Sequence, residues 1–181
     1  QPEDYIGGQI QRVSADGTIL QPLDGAELEQ IALELERAKV EAIAILFLHS
    51  YRNAAHEAQA KQFFEGRFPG AFVSASHELS QEYREFERTS TVAANVYVGP
   101  RVRRYLTEVD RFLEREQFPG KFLIVQSTGG LYHSDQAQVE CIRMLESGPA
   151  AGVIGTEALC RATGLRHAIA FDMGGTTAKA G

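Results

Sequence analysis

Two apolar runs, each preceded by a helical pattern, restrict the chain more than any other feature. Val40 to Leu48 is apolar at every position except Glu41. A run without alternation has no solvated face, which is the pattern of a strand buried on both sides in a parallel sheet. Ahead of it, Asp24 with Glu27 three residues on resembles a capping box, and Leu28, Ile31, Ala32 and Leu35 share one face of a helix over 25–38. Behind it, Asn53 is placed to cap a second helix that carries Ala60, Phe63 and Phe64 inward and ends near Gly66. Pro69 and Gly70 then turn the chain into a strand over 71–76. Helix, strand, helix, strand in this order predicts an α/β layer with right-handed crossovers. Upstream, Ile10 to Leu20 reads as a β-ribbon turning at Ala15, Asp16 and Gly17.

Composition removes several function classes. The chain has 181 residues, 44% hydrophobic and 23% charged, which places it among soluble globular proteins with one compact domain or two small ones. A formal net charge of −6 with no sustained basic run gives nucleic acid or an anionic membrane no electrostatic footing, so neither is expected as a partner. The apolar stretch Ala42 to Leu48 falls well short of the roughly 18 residues a membrane span needs. Cys141 and Cys160 lie in helical or apolar surroundings and read as reduced thiols of a cytoplasmic protein. The chain begins without Met and stops inside a motif, as a piece of a longer protein would.

Downstream of residue 76 the chemistry becomes denser. Ser76 to Asn95 gathers His77, Glu78, Glu82, Arg84, Glu85, Glu87 and Arg88. Spacing alone reads this as a solvated helix with ion pairs such as Arg84 with Glu87; a site is the competing reading. Gly99 and Pro100 are expected to interrupt the helix, with a second helix over 101–117 whose stripe is Val102, Tyr105, Leu106, Val109, Phe112 and Leu113. Lys121 to Gln126 reads as another buried strand. Its polar turn, Ser127 to Gly130, is either a ligand position at the strand's carboxyl end or a plain loop. Ser147 to Thr156 opens a helix with little bulk, Pro149 in its first turn and Gly152 and Gly155 inside. Since helical glycine costs about 0.8–1 kcal/mol against alanine, the pattern asks for close approach by a neighbouring helix or by a nucleotide.

The chain ends on an apolar strand over 167–171 followed by Asp172, Met173, Gly174, Gly175, Thr176 and Thr177. Glycines without Cβ and free to take positive φ let backbone N–H groups close on phosphate oxygens, and the threonines add hydroxyl donors. A carboxylate at the strand end suits a hard cation such as Mg²⁺. The same Gly-Gly suits an ordinary hairpin turn.

Taken in order, Ser76–Glu78 with Glu82–Thr91, then Gln126–Gly130, then Ser147–Gly152 with Asp172–Gly181, resemble the hydantoinase A, 5-oxoprolinase and acetone or acetophenone carboxylase subunits. These form a branch of the actin-like ATPases. Thr177, Ala178, Lys179 and Ala180 look most like the N-methylhydantoinase A form of the loop. The likeness runs from about residue 20 to the end.

That resemblance implies an α/β fold class, a fragment of the actin-like (ribonuclease H-like) two-lobe ATPase fold, with a mixed sheet and flanking helices. Residues 1–92 would be the carboxyl-terminal part of the first lobe. Residues 93–181 would be the connecting helices and the start of the second, ending in a phosphate loop. The implied activity is ATP-dependent hydrolysis of hydantoin-like or 5-oxoproline-like rings by phosphorylation of the amide oxygen. The alternatives are a ketone carboxylase subunit of the same family and a non-enzymatic nucleotide-gated module. ATP and Mg²⁺ are the implied cofactors. Asp172 would serve the metal, and Gly148, Gly174, Gly175, Thr176 and Thr177 the phosphates; Lys179 would have a structural or phosphate-facing role. His77, Glu82, Arg84, Glu87 and Arg88 would act on the cyclic amide or its attacking water, or else form a hinge network between lobes. The resemblance further implies a B-type partner subunit and an oligomeric full-length protein. The fragment alone is expected to have negligible turnover, and His49, His56, His77, His133 and His167 lack zinc-type spacing.

Overall fold

The computed structural model describes residues 12–181. The part of the amino-terminal ribbon before Arg12 lies outside the described residues. The remainder of the ribbon pairs β1 (Arg12–Val13) antiparallel with β2 (Ile19–Gln21). Its turn residue Gly17 has φ of 92°, a conformation open to glycine at little cost.

Two compact units follow, one up to Pro100 and one from Arg101 to Gly181. In the first, α1 (Gly25–Ala38) starts on Asp24, whose carboxylate accepts the Ala26 N–H at 2.8 Å. It ends on Lys39 in a left-handed cap. After β3 (Ala42–Ile45) the chain enters α2 (Ala55–Arg67). Asn53 takes the Ala55 N–H at 3.0 Å, so its capping bond forms one residue ahead of the assigned cap, Ala54. Then come β4 (Phe72–Ala75) and the single turn α3 (Ser76–Leu79). Strands β3 and β4 are parallel over four residues each, Ala42 opposite Phe72 and Ile45 opposite Ala75. The α/β expectation is met.

β3 is nevertheless shorter than the apolar run, and Ala44 is exposed. Burial on both faces requires cover on both faces, which β4 has at all four of its residues while the second face of β3 is open at Ala44; the apolar core lies on the other face. Leu28, Ala32 and Leu35 of α1, Ile43 and Ile45 of β3, Ala60 and Phe64 of α2, and Val73 and Ala75 of β4 make that core.

The expected break at Gly99 and Pro100 does not occur, because α4 runs without interruption from Glu85 to Arg115 with Pro100 inside it. A residue before proline usually leaves the helical region because its Cβ meets the proline ring. Gly99 has no Cβ. It is also pressed by the Phe72 ring, whose carbons would lie 2.5 Å from a Cβ built there.

In the second unit β5 (Leu123–Val125) and β6 (Leu131–His133) form an antiparallel hairpin. The predicted buried strand 121–126 is thus shorter, with Leu123 exposed, and its turn is a hairpin turn. Leu106 of α4, Ile124, Tyr132 and Ala137 are its core, while Tyr105 and Phe112 of the predicted stripe stay at least half exposed. After α5 (Ser134–Ala137) and a 3₁₀ turn (Cys141–Met144) comes α6 (Ser147–Thr163), closed by Gly164 at φ of 76°. The last hairpin pairs β7 (Phe171–Met173) with β8 (Ala178–Ala180). The strand expected over 167–171 therefore lies further along, and Ile169 and Phe171 of that apolar run are exposed. Among the described residues no helix is long and apolar enough to cross a membrane.

Candidate functional site

In the second unit the carboxyl-terminal hairpin and the start of α6 enclose an open groove of about 360 Å³, lined among others by Ser127, Glu146, Pro149, Asp172 and Lys179. Asp172 sits in the middle of β7 opposite Lys179 of β8, not at a strand end as expected. The antiparallel partner extends the strand through Met173, which carries the carboxylate into the ladder. Lys179 is ion-paired with Glu146. The groove thus presents two carboxylates and one ammonium, so a bare polyphosphate would meet net negative charge. A divalent cation on Asp172 reverses that sign locally, and carboxylate oxygen is the donor a hard cation prefers.

The turn itself differs from an open phosphate cradle. Gly174 gives its N–H to the Thr177 carbonyl at 3.0 Å, which commits that amide to the hairpin. Gly175, Thr176 and Thr177 are exposed. Neither Gly174 nor Gly175 takes a positive φ, and a Cβ at either would meet nothing within 4 Å. The same holds at Gly148, Gly152 and Gly155 of α6. Neither backbone conformation nor packing within this unit explains these five glycines. What they leave is surface that a ligand or another part of a larger protein can approach closely. The turn Ser127 to Gly130 is a hairpin loop whose Ser127 also lines the groove.

In the first unit the charged stretch divides. Glu82 and Arg84 are exposed, and Arg84 makes the expected pair with half-buried Glu87 at 3.6 Å, but Glu82 and Arg84 lie in the loop between α3 and α4 and not in the solvated helix that spacing suggested. Arg88 does the opposite and is 1% exposed. Its Nη1 donates to the Phe47 carbonyl at 3.2 Å, to Ser76 Oγ at 2.9 Å and to Ser50 Oγ. Its Nε and Nη2 are buried without a hydrogen-bond partner among the described residues, as are Glu87 Oε2 and His49 Nδ1. The Tyr51 ring lies 5.7 Å from the guanidinium carbon, within range of a cation–π contact.

Sequence reasoning missed the residue at the centre of this network. Glu57, in the first turn of α2, is fully buried. Its Oε1 accepts from Phe47 N and Ser76 Oγ, each at 2.8 Å. Its Oε2 accepts from His77 N at 2.8 Å and lies 2.6 Å from His77 Nδ1. A glutamate in an exposed-looking helical pattern gives no warning of this. The available signal was Phe47 to Ser50 and Ser76 to His77 standing at the carboxyl ends of the two predicted parallel strands, the edge where such sheets hold ligands.

Comparison with known proteins gives the context. The family model described as Hydantoinase/oxoprolinase matches residues 88–181, and its amino-terminal counterpart matches residues 8–67. An uncharacterised protein of Methanocaldococcus jannaschii is 39% identical over 94% of this chain and 25% of its own. Caprolactamase subunit alpha of Pseudomonas jessenii is 33% identical over 95% of this chain and 24% of its own. The crystal structure of the ATP-dependent caprolactamase from that organism superposes with a TM-score of 0.80 at 30% identity, covering 96% of this chain and 25% of the other. A nucleotide-free acetone carboxylase, from work on ATP-dependent acetone carboxylation, gives 0.82 at 27% identity, covering 96% and 25%. The chain spans about a quarter of the length of these relatives.

Proposed function

Because the chain belongs to the hydantoinase/oxoprolinase family, we propose that it is part of an ATP-dependent enzyme that opens hydantoin-like or 5-oxoproline-like rings by phosphorylating the amide oxygen. Amide resonance and a poor nitrogen leaving group make direct hydrolysis slow, and phosphorylation of the oxygen removes the resonance. Such transfer asks the protein for positioning and charge neutralisation more than for covalent chemistry.

The observation that carries this reading is the groove of the second unit, where Asp172 stands among Ser127, Glu146, Pro149 and Lys179. Asp172 would hold Mg²⁺, directly or through its waters. Gly148, Gly175, Thr176 and Thr177 would offer amides and hydroxyls to the phosphates. Gly174, whose N–H is engaged, would serve by having no side chain. Lys179, paired with Glu146, would fix the wall. In the first unit His77 and Arg88 are the members of the charged stretch that a buried network holds rigid, and the cyclic-amide side is assigned to them before Glu82, Arg84 or Glu87. The caprolactamase relative carries the name of a subunit, which supports a B-type partner and an oligomeric parent.

Likeness to acetone carboxylase supports a second reading, in which the same framework activates a ketone or bicarbonate. The full-length protein, given ATP, Mg²⁺, labelled bicarbonate, hydantoin, 5-oxoproline and acetone, separates them. Ring-opened product with no fixed label is the expected result. Fixed label without ring opening overturns the hydrolase in favour of the carboxylase.

A further inference from the structure

On the reading of the parent as a cyclic-amide hydrolase, we infer that Glu57 and His77 form a proton-accepting dyad, with Glu57 as the positioning residue and His77 Nε2 as the group that takes a proton from the attacking water. The dyad stands at the carboxyl end of the parallel pair β3 and β4, with His77 two residues beyond Ala75.

Glu57 has no exposed side-chain surface, and each of its oxygens accepts two hydrogen bonds. A carboxylate held by four contacts in this way is fixed in orientation. Its Oε2 lies 2.6 Å from Nδ1, and since a carboxylate oxygen can only accept, Nδ1 is the donor; in the neutral ring the lone pair is then on Nε2. The His77 side chain is 16% exposed, and among the described residues its hydrogen bonds run through the backbone N–H, Nδ1 and the carbonyl, with none through Nε2. One nitrogen is therefore held by a buried anion while the other is left for chemistry.

The step balances simply. Water oxygen bonds to the phosphate-activated amide carbon while one water O–H bond breaks and its proton passes to Nε2. The carbon–nitrogen π pair moves onto the ring nitrogen. The imidazolium that results keeps its Nδ1–H on Glu57, so the new positive charge forms beside a fixed negative one. Four other charged or polar groups bear on His77. Arg88 reaches Glu57 through Ser76 Oγ. Glu78, the next residue, is paired with Lys61 at 2.6 Å. Gln81 donates to the His77 carbonyl at 2.6 Å. The charged side chain bonded to the ring itself is Glu57.

The test uses the full-length enzyme with ATP and whichever of hydantoin and 5-oxoproline it opens. For His77→Gln, kcat is expected to fall by about 10²-fold or more with KM changed little, and the acidic limb of the kcat–pH profile should vanish. Glu57→Gln is expected to keep the limb and move it to lower pH, since an imidazolium without its carboxylate gives up its proton more readily. Retention of the wild-type limb in both variants overturns the dyad. A second readout needs no turnover: the His77 C2–H resonance, assigned by its loss in His77→Gln, should titrate at lower pH in Glu57→Gln. An unmoved titration also contradicts the dyad. A wild type that opens no ring contradicts the hydrolase reading, and the titration then judges the pairing by itself. If one variant does not fold, the other decides.

Discussion

At the scale of single residues, burial sets two titrations with opposite consequences for stability. His56 is 3% exposed, and burial lowers its pKa from the ordinary value. It stays neutral in the fold while the unfolded chain binds a proton below about pH 6.5, so acidification favours unfolding. Stability of the chain should therefore decline from about pH 7 to pH 5, and His56→Gln should flatten that decline in urea melts at each pH. Cys141 behaves in the reverse sense, its thiol pushed up to about 11 by burial. Neither it nor Cys160 is in a disulfide. Above about pH 9 the unfolded thiol ionises first, and stability is lost as pH rises towards 11. An alkylating reagent at pH 8 should accordingly label half-buried Cys160 and leave Cys141 intact until the chain is unfolded. Rapid modification of Cys141 in the folded chain would refute its burial.

Among the elements, α4 and β4 show best what the sequence disclosed and what it hid. The apolar residues of β4, Val73 and Ala75, belong to the core shared with α1 and α2. The alternate positions meet α4 instead: Phe72 against Gly99, Ser74 Oγ to Asn95 Nδ2 at 3.0 Å, and Ser76 Oγ to Arg88. The five residues from Phe72 to Ser76 and the twelve from Arg88 to Gly99 cover roughly 13 Å and 16 Å at strand and helix rises, so three rungs fit. Residues 88, 92, 95 and 99 lie on one helical face, but three of the four are arginine, asparagine and glycine. A search for apolar periodicity reads them as exposed or as a break. Helix α1 was legible because its inward face is apolar and Asp24 caps its first turn, and α2 because Ala60 and Phe64 face inward and Asn53 binds its first amide, although its start also buries His56 and Glu57. Glu57 and the Arg88 rung were not, because polar burial is settled by partners distant in sequence. The rungs make a prediction about glycine. Gly99→Ala gains about 1 kcal/mol of helix propensity but drives a methyl into a ring that is 2% exposed, a clash of about 1–3 kcal/mol. It should lower the melting temperature. Gly155→Ala, where a methyl meets nothing within 4 Å, should raise it by the propensity alone. The opposite ranking would contradict the packing described.

For the molecule as a whole, the family was readable from three motifs because they are local: short strings whose order along the chain survives without knowledge of the fold. The state of the phosphate turn was not readable, since a Gly-Gly after a strand suits an open cradle and a closed hairpin alike. The Gly174 amide bonded to Thr177 decides for the hairpin at that one position. Asp172 in the groove wall keeps the metal role available. The account therefore rests on this carboxylate more than on the glycines, and its substitution in the full-length protein is the most direct measurement. Asp172 is exposed, so Asp172→Asn should shift the melting temperature by no more than about 2 °C. ATP turnover in the presence of Mg²⁺ should fall by about 10²-fold. Turnover at the wild-type rate in a stably folded Asp172→Asn protein would remove the carboxylate from the nucleotide site and contradict the account.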